Sequence, residues 1–478
     1  MKPAGTVNDR SVTRREFLGG AVIVAAGAAL EACAPSAASF ALRSTADPNT
    51  AMMLRNATVL TMDSASPAAD AVAIVGDTIT AVGTEAEVMA AAAPNATIVD
   101  LDGRVLLPGF NDAHCHRIGD REISGYESAE AAIQDALVGG WTSISELFVN
   151  QERLDELRAL DDANRLRLRV NCYLPVNYLD DKFGIWFGDY RPHQVFSPHL
   201  RIGGVKIFAD SAWTNEMFMT EPHTDRPDYR GDVYWTPDEF TNLVRSLHDD
   251  GWQMATHTAG DAAHDLVLDA YEAALAGADN ADHRHRIEHV MALRDDQVRR
   301  MRDLSILASL QLTWFTSDTT PDVGSTVGPE RLAWVGRWRD LLEAGVPAVA
   351  STDFPFADLE ELNGTTGRAM KALSIAVTRV GEQGLEPPQW QADQRLSVEQ
   401  GLELITRAGA YATFEEDRKG TITAGKLADL VVLSEDPRSV ATADLAGVSV
   451  LMTMVGGRVE YCAPDAGTLC SLVAWGNS

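Results

Sequence analysis

Two histidines stand one residue apart, directly after a hydrophobic run, in the segment "VLLPGFNDAHCH". Alternate side chains of a β-strand point to the same face, so His114 and His116 would share a face, with Cys115 on the other. Two imidazoles on one face can bind one metal ion, each through a ring nitrogen at about 2.0–2.1 Å. The segment alone fits equally well with one histidine in the core and the other in a loop, so the rest of the chain has to decide.

Four further side chains that can bind a metal or move a proton follow short apolar runs. Lys206 lies within "GVKIFAD", His257 follows "WQMAT", His289 closes "HRIEH" and Asp353 ends "STDFP". Taken singly, each has an ordinary structural explanation, such as a buried ion pair, a core histidine or a helix cap. Together the six residues suit metal-assisted hydrolysis, because imidazole and carboxylate bind divalent cations and a carboxylate can accept the proton of water.

The region between residues 103 and 414 alternates strand-like runs with segments of helical periodicity. Eight runs are strand-like, namely "VLLPGF", "TSISEL", "LRVNCYLP", "GGVKIFAD", "QMATHTAG", "HRIEHV", "LASLQLTWF" and "PAVASTDFP". Eight alternating units in roughly 300 residues predict an α/β fold, a (β/α)₈ TIM-type barrel. A doubly wound open sheet is the alternative, but no GxGxxG follows the first strand. Because active sites of such barrels form at the carboxyl ends of the strands, the six residues would meet at one rim.

The flanks of the barrel read differently, as short alternating strands joined by Gly-Asp and Asp-Gly turns. They predict a small β-sandwich domain built from both chain ends. The expected organisation is a signal over 1–33, a tether over 34–50, the sandwich over 51–107 and 415–465, the hydrolase barrel over 108–414, and a tail over 466–478.

Composition limits the partners. The 478 residues are 23% charged and 45% hydrophobic, so a large core can form, and the formal net charge is −29. Such a surface repels phosphate backbones, which argues against nucleic-acid binding and favours a small-molecule substrate. The sequence leaves the oligomeric state open, and a homo-oligomer is compatible with it.

The N-terminus resembles a twin-arginine export signal. Arg14 and Arg15 precede an apolar stretch over 19–30, which is shorter than the roughly 20 residues that span a bilayer. The following "LEAC" resembles a lipoprotein cleavage site with Cys33 as the lipidated residue, although Glu31 is atypical there. We expect export to the cell envelope or the extracellular space, with a membrane tether through Cys33.

The other four cysteines divide into two pairs. Cys115 and Cys172 fall on predicted barrel strands, whereas Cys462 and Cys470 lie close together near the C-terminus. The latter two could form a disulfide outside the cytoplasm, and two free thiols are the alternative.

The constellation resembles the amidohydrolase superfamily and, within it, the amidohydrolase family 3 branch, the relatives of N-substituted formamide deformylase. The resemblance covers nearly the whole mature chain. It is carried by "PGFNDAHCH", "VKIFAD", "HTAGDAA", "HRIEH", "STDFP" and the long segment from "RLSVEQG" to "VVLSEDP". It implies a TIM-type barrel enzyme that hydrolyses a non-peptide C–N bond with one or two divalent ions.

The resemblance also implies roles for the six residues. His114 and His116 would bind the more buried ion, and a carboxylated Lys206 would bridge two ions. His257 and His289 would bind the second ion. Independently of the resemblance, the chemistry of amide hydrolysis calls for a group that polarises the substrate carbonyl, and the metal or His289 would serve. Asp353 would hold the attacking water and take its proton. Zinc is the default for such histidine-rich ligation, with manganese or iron as alternatives.

Two departures from the family pattern bear on the substrate. The segment after the HxH strand lacks the usual long insertion, and the segment after Lys206 lacks the usual small, Gly-rich loop. Five residues that flank the strand ends are candidates for substrate contact, with structural packing as the alternative for each: Arg117, Trp213, Glu216, Trp314 and Phe354. A formamide, another linear amide or a lactam is expected. An esterase or lactonase on the same site, or a lipid-tethered binding protein without catalysis, are the alternatives.

Overall fold

The structure, a computed structural model, describes residues 50–277, 282–318, 320–356, 367–464, 466, 467 and 469. The predicted signal with Cys33, most of the predicted tether and Cys470 lie outside these residues. Within the described part of the chain, none of the helices has the length and apolar character needed to cross a bilayer.

The N-terminal flank forms short strands and one helix. They are β1 Ala51–Arg55, β2 Thr58–Leu60, β3 Ala68–Ala69, β4 Ala71–Val75, β5 Thr78–Gly83, α1 Glu85–Ala91, β6 Thr97–Asp100 and β7 Val105–Pro108. Helix α1 begins at a capping box in which Thr84 and Glu87 bond each other's backbone N–H, which satisfies two donors that a helix start leaves free.

The central region alternates strands and helices. Its first half comprises β8 Phe110–Cys115, α2 Ala129–Val138, β9 Trp141–Leu147, α3 Gln151–Asp162, β10 Arg169–Pro175, β11 Asn177–Tyr178, β12 Asp181–Lys182, β13 Leu200–Phe208 and α4 Pro237–Asp249. Its second half comprises β14 Met254–Thr258, α5 Asp261–Leu275, β15 Arg286–His289, α6 Asp295–Asp303, β16 Leu307–Gln311, α7 Thr320–Val327, α8 Trp338–Glu343, β17 Ala348–Ser351 and α9 Ala369–Thr378.

The C-terminal region adds helices and then returns to the flanking domain. It comprises α10 Gln389–Ala392, α11 Val398–Ile405, α12 Arg407–Ala412, β18 Leu430–Leu433, β19 Val450–Val455 and β20 Arg458–Cys462. Single 3₁₀ turns lie at Thr214–Glu216, Leu332–Trp334 and Thr442–Gly447.

Eight parallel strands form one sheet in the order β17-β16-β15-β14-β13-β10-β9-β8. Beyond the two end strands, backbone bonds join the sheet into a barrel: the Asp353 N–H donates to the His114 carbonyl at 2.8 Å, and the His116 N–H donates to the Phe354 carbonyl at 2.8 Å. Most strand residues are buried on both faces, because side chains fill the barrel and helices cover it. The predicted TIM-type barrel is confirmed.

The flanking domain has two sheets, ordered β5-β4-β1-β6 and β20-β19-β18-β7-β2-β3. Strand β18 pairs antiparallel with β7, and β7 pairs parallel with β2. Strands from both chain ends therefore share one sheet. Apolar residues of the two sheets pack into a common cluster that is separate from the barrel core.

The first predicted barrel strand, "VLLPGF", is wrong as a single strand. Val105–Pro108 belongs to the flanking domain, and the barrel begins with Phe110–Cys115. The chain passes between the two sheets at Gly109, whose N–H donates to the Asp429 carbonyl at 2.8 Å. A Cβ atom at Gly109 would lie 2.2 Å from the Thr142 side chain, so only glycine fits this crossing.

A buried ion pair fixes the barrel against the flanking sheet. The Arg169 guanidinium at the start of β10 donates to both oxygens of Asp429, at 2.7 and 2.9 Å. The same carboxylate accepts the Gly456 N–H at 2.7 Å. Burial alone would raise the pKa of Asp429, but Arg169 lowers it below its ordinary value, so the carboxylate stays ionised.

We predict that Arg169→Met lowers the free energy of unfolding by about 3–5 kcal/mol, because Asp429 would keep a buried charge without its partner. Urea denaturation of the purified protein measures this change. The matched control is Arg339→Met, since Arg339 pairs with Glu343 on the surface and its loss should cost at most about 1 kcal/mol. Equal effects of the two substitutions would contradict the assignment.

Candidate metal centre

Three buried side chains converge at the carboxyl end of the barrel. One ligand atom each of His114, His289 and Asp353 lies within 4.8 Å of the other two. The three residues come from β8, from the end of β15 and from the segment after β17. A histidine pair with a carboxylate is a donor set typical of zinc and related divalent ions.

His116 and Lys206 join this cluster. The Nε2 atoms of His114 and His116 are 3.3 Å apart, and Asp353 Oδ1 lies 3.2 Å from the first and 3.4 Å from the second. The Lys206 ammonium lies 3.5 Å from His114 Nε2. Burial lowers the pKa of Lys206 to about 8, so the amine loses its proton more readily than a surface lysine does.

His257 meets the cluster through His289. Its ring centre lies 4.4 Å from that of His289, but its Nε2 lies 2.9 Å from the Ser211 carbonyl oxygen. A protonated Nε2 therefore donates to the backbone and leaves Nδ1 as the available donor atom. Burial, reinforced by Lys206, lowers the pKa of His257 to about 3, so the ring is neutral, as a metal ligand must be.

The donor atoms fit a divalent cation. Two imidazole nitrogens face each other with a carboxylate oxygen beside both, and His289 Nδ1 is buried with no hydrogen-bond partner in the described part of the chain. An orphaned buried nitrogen is costly unless a ligand satisfies it. Burial alone would lower the pKa of His116, but hydrogen bonds to Asp120 and Asp353 raise it to about 9. The raised pKa of His116 shows that the carboxylates of Asp120 and Asp353 make this site negative. A bound cation would neutralise that charge.

Two of the ligand candidates hold an unusual backbone. His289 has φ of +76° and Asp353 has φ of +54°, the left-handed region that residues other than glycine rarely adopt. Both stand where a barrel strand ends. Such strain persists where the surroundings fix the conformation and is frequent at functional sites.

Glu288 is a site residue that the sequence analysis missed. Its Oε2 lies 2.7 Å from His114 Nδ1, and its carboxylate accepts two bonds from Arg286, at 2.6 and 2.9 Å. Burial raises the pKa of Glu288, but Arg286 and then His114 lower it further, so it falls well below its ordinary value. The ionised carboxylate holds the proton of His114 on Nδ1 and leaves Nε2 free to bind a metal. The spacing of "RIE" in the sixth strand, with charges at i and i+2, was the signal for this pair.

Asp210 supports His257 from a neighbouring loop. Its carboxylate accepts the backbone N–H groups of Ala259 and Gly260, both at 2.8 Å, and that of Phe218 at 3.0 Å. Burial raises the pKa of Asp210 to about 7, even though these bonds oppose the shift. The carboxylate thus ties the loop after β13 to the segment that follows His257.

The structure favours packing, the alternative to substrate contact, for Arg117. Its side chain is fully buried and donates to Asp135 at 2.8 Å and to the Gly367 carbonyl at 2.7 Å. The guanidinium also lies 4.4 Å from the centre of the Phe354 ring. Phe354 is itself buried. A buried guanidinium without a partner would be costly, which explains why Arg117 is paired and packed in this way.

The other three substrate candidates differ in their positions. Trp314 is half-buried, and its ring lies 6.0 Å from that of His289. Trp213 and Glu216 both contact Ser211: the Trp213 N–H donates to its hydroxyl at 3.2 Å, and that hydroxyl donates to Glu216 at 2.8 Å. The structure therefore brings Trp314 to the ligand cluster, whereas the other two order the loop after β13.

None of the cysteines among the described residues belongs to the cluster. Cys115 and Cys172 are buried free thiols in β8 and β10, on barrel strands as predicted. Cys462 is disulfide-bonded, but its predicted partner Cys470 lies outside the described residues, so their pairing stays a prediction.

Comparison with known proteins places these features in a family. The model of the amidohydrolase family matches residues 124–461. Protein LONG AFTER FAR-RED 3 of Arabidopsis thaliana is 30% identical over 63% of this chain and 49% of its own length. N-substituted formamide deformylase of Arthrobacter pascens is 26% identical over 87% of this chain and 74% of its own length. The chain spans about half the length of two of the curated relatives it matches.

Among solved structures, a metal-dependent hydrolase from Pyrococcus horikoshii has a TM-score of 0.68 and 21% identity. It covers 82% of this chain, and 99% of that chain is matched. At this identity the likeness supports the fold, a barrel with an additional β domain.

We predict that Glu288→Gln weakens zinc binding by about 10- to 100-fold, because the neutral amide no longer holds the His114 proton on Nδ1. Competition between the protein and a colorimetric zinc chelator measures the affinity. Glu272→Gln is the matched control, since Glu272 pairs with Arg300 on an exposed helix face. Wild-type zinc affinity in the Glu288 variant would rule out the positioning role.

Proposed function

The chain belongs to the amidohydrolase family, and we propose that it is a divalent-metal-dependent hydrolase of a non-peptide C–N bond in a formamide, another linear amide or a lactam. The observation that carries the proposal is the convergence of His114, His289 and Asp353 within 4.8 Å, all three buried. The similarity to N-substituted formamide deformylase supports the bond class.

We propose zinc as the metal. His114, His116, His289 and Asp353 would hold one ion, and imidazole-rich sites of this kind suit zinc. The chemical state of the Lys206 side chain determines whether a second ion can bind between Lys206 and His257. An ammonium 3.5 Å from His114 Nε2 repels a cation, whereas carboxylation of its amine by carbon dioxide creates an anionic oxygen donor at the same place. The lowered pKa of Lys206 favours that reaction, since only the neutral amine is nucleophilic.

A bound divalent cation would supply Lewis acidity, which lowers the pKa of water from about 15.7 toward 7 and polarises a carbonyl. The protein supplies the proton transfers. Asp353 has oxygens 3.2 Å from His114 Nε2, 3.4 Å from His116 Nε2 and 3.8 Å from His289 Nδ1. Burial raises its pKa, but the histidines, His114 first, lower it well below the ordinary value. The carboxylate is therefore ionised and can accept a proton from water.

The same carboxylate can then return the proton to the leaving nitrogen, which makes the amine a viable leaving group. His289 borders this position and can help to polarise the carbonyl oxygen as charge develops on it. Exclusion of solvent strengthens these interactions, since all the named side chains are buried.

The same site could instead cleave an ester or a lactone, which needs no proton on the leaving atom. A matched pair of amide and ester substrates distinguishes the two, because only amide cleavage depends strongly on the proton delivered by Asp353. A binding protein without turnover is the remaining alternative, and it would take up ligand without product formation.

We predict that Asp353→Asn lowers kcat by at least about 1,000-fold on any amide that the wild type hydrolyses, since an amide cannot accept the proton. Release of the amine product measures kcat, and elemental analysis measures the bound metal. Asp303→Asn, on the exposed end of α6, serves as the control. If turnover survives with bound metal present, Asp353 is not the proton acceptor.

We also propose that the chain is exported by the twin-arginine route and anchored through lipid on Cys33. Replacing both arginines of the pair, Arg14→Lys with Arg15→Lys, should retain the protein in the cytoplasm, whereas Arg43→Lys should not. Cell fractionation with immunodetection measures this. Cys33→Ala should leave export intact and release the protein from membranes, and unchanged membrane association would contradict the anchor.

A further inference from the structure

An aromatic cluster extends from the ligand candidates toward the protein surface. We call it the aromatic wall and define it by Phe148, Tyr178, Phe183 and Phe208. The Phe148 ring lies edge-to-face with the other three, at centroid distances of 5.5 Å to Tyr178, 6.2 Å to Phe183 and 6.4 Å to Phe208. Tyr178 and Phe208 also meet directly, at 5.6 Å. Each contact has the geometry that aromatic pairs prefer.

The inner end of the wall touches the candidate metal centre. The Phe208 ring stacks on His257 at 5.1 Å with an angle of 26° between the planes. The Lys206 ammonium lies 4.8 Å from the same ring. An apolar group held against Phe208 would therefore lie beside the atoms that carry out hydrolysis.

The outer end of the wall is open to solvent. Phe183 is 47% exposed, and Ile185 beside it in the chain is 45% exposed. Phe148 and Tyr178 are half-buried. Exposed apolar side chains that adjoin a buried site are suited to ligand contact, because covering them removes apolar surface from water.

The wall is built rigidly. Buried Asn177 accepts the Phe208 N–H at 2.9 Å and donates to the carbonyls of Phe208 at 3.0 Å and Leu179 at 2.7 Å. Phe148, directly after β9, has φ of +121°, a conformation that is costly for a bulky residue. The backbone that carries Tyr178 and Phe208 is thus held in place by hydrogen bonds, and a preformed surface lowers the entropic cost of binding.

The wall is also separate from the barrel core. Phe208 packs with Leu179 and Tyr234 in a small apolar cluster of its own, against which Phe148 and Tyr178 lie. The main apolar core of the barrel forms a separate cluster that contains none of Phe208, Leu179 and Tyr234. The net charge of −29 further disfavours strongly anionic ligands near the rim.

We propose that the aromatic wall is the substrate subsite and that it accepts an aromatic ring attached to the scissile amide. The proposal rests on the proposed function and narrows it to ring-bearing amides. A ring that packs on Phe148 and Tyr178 would place the amide carbonyl next to Phe208, and so at the candidate metal centre.

Two hydroxamates test the proposal without turnover, because they share one metal-binding group and differ by a phenyl ring. Isothermal titration of the zinc-loaded protein compares acetohydroxamic acid with phenylacetohydroxamic acid. We expect the phenyl compound to bind about 10- to 50-fold more tightly, as burial of one ring predicts. Equal affinity of the two compounds would overturn the subsite while leaving the metal centre intact. Binding of neither compound would overturn the proposed function, and the subsite with it.

The variants Phe148→Ala and Tyr178→Ala, each tested separately, locate the effect. We expect the ratio between the two affinities to fall to about threefold or less in both, with the affinity for acetohydroxamic acid unchanged as evidence that the site is folded. Tyr190→Ala is the matched control, since Tyr190 is a half-buried aromatic residue that pairs with Gln151 and Phe196 and is not in the wall. A ratio that stays at its wild-type value in both wall variants would contradict the assignment, and the wild-type comparison still decides if a variant fails to fold.

Discussion

The candidate site depends on one buried ion pair inside the barrel. Arg286 and Glu288 are wholly excluded from solvent, and removing two charges from water costs several kcal/mol per ion unless their bonds are satisfied. Here they are satisfied: Arg286 also donates to the Ala113 carbonyl at 2.8 Å and to Ser309 at 3.2 Å. The ion pair also orients the site, because Glu288 fixes the position of the His114 ring and holds its proton on Nδ1. Without that constraint the first histidine of the site would have no defined donor atom.

The sequence predicted the barrel because its signals are local and repeated. Alternating apolar runs and helical segments mark the eight units, and the spacing of His114 and His116 follows from strand alternation. The prediction erred where tertiary context decides. The Pro-Gly pair in "VLLPGF" marks a turn, but nothing in the segment indicates that the chain changes sheets at Gly109. The burial of Arg117 beside Asp135 likewise arises only in the folded chain.

The same reasoning explains why the site was only partly predictable. Strand alternation would put Glu288 and His289 on opposite faces, yet both serve the site, because a left-handed backbone at His289 turns its side chain out of register. Asp353, which follows β17, also has a left-handed backbone, so its side chain too departs from strand alternation. The aromatic wall combines rings that lie on or directly after β9, β11, β12 and β13, so it forms only when these separate segments pack together.

The join between the first and last barrel strands links the closure of the barrel to metal binding. The first and last strands meet through two backbone bonds, one of which joins the carbonyl of His114 to the N–H of Asp353. The side chains of these two residues also lie at the same candidate cation site, so an ion bound there would add a further link between the first and last strands. Removal of that ion would therefore weaken both the closure of the barrel and catalysis. The backbone bond that closes the barrel and the side chains that would hold the ion belong to the same two residues.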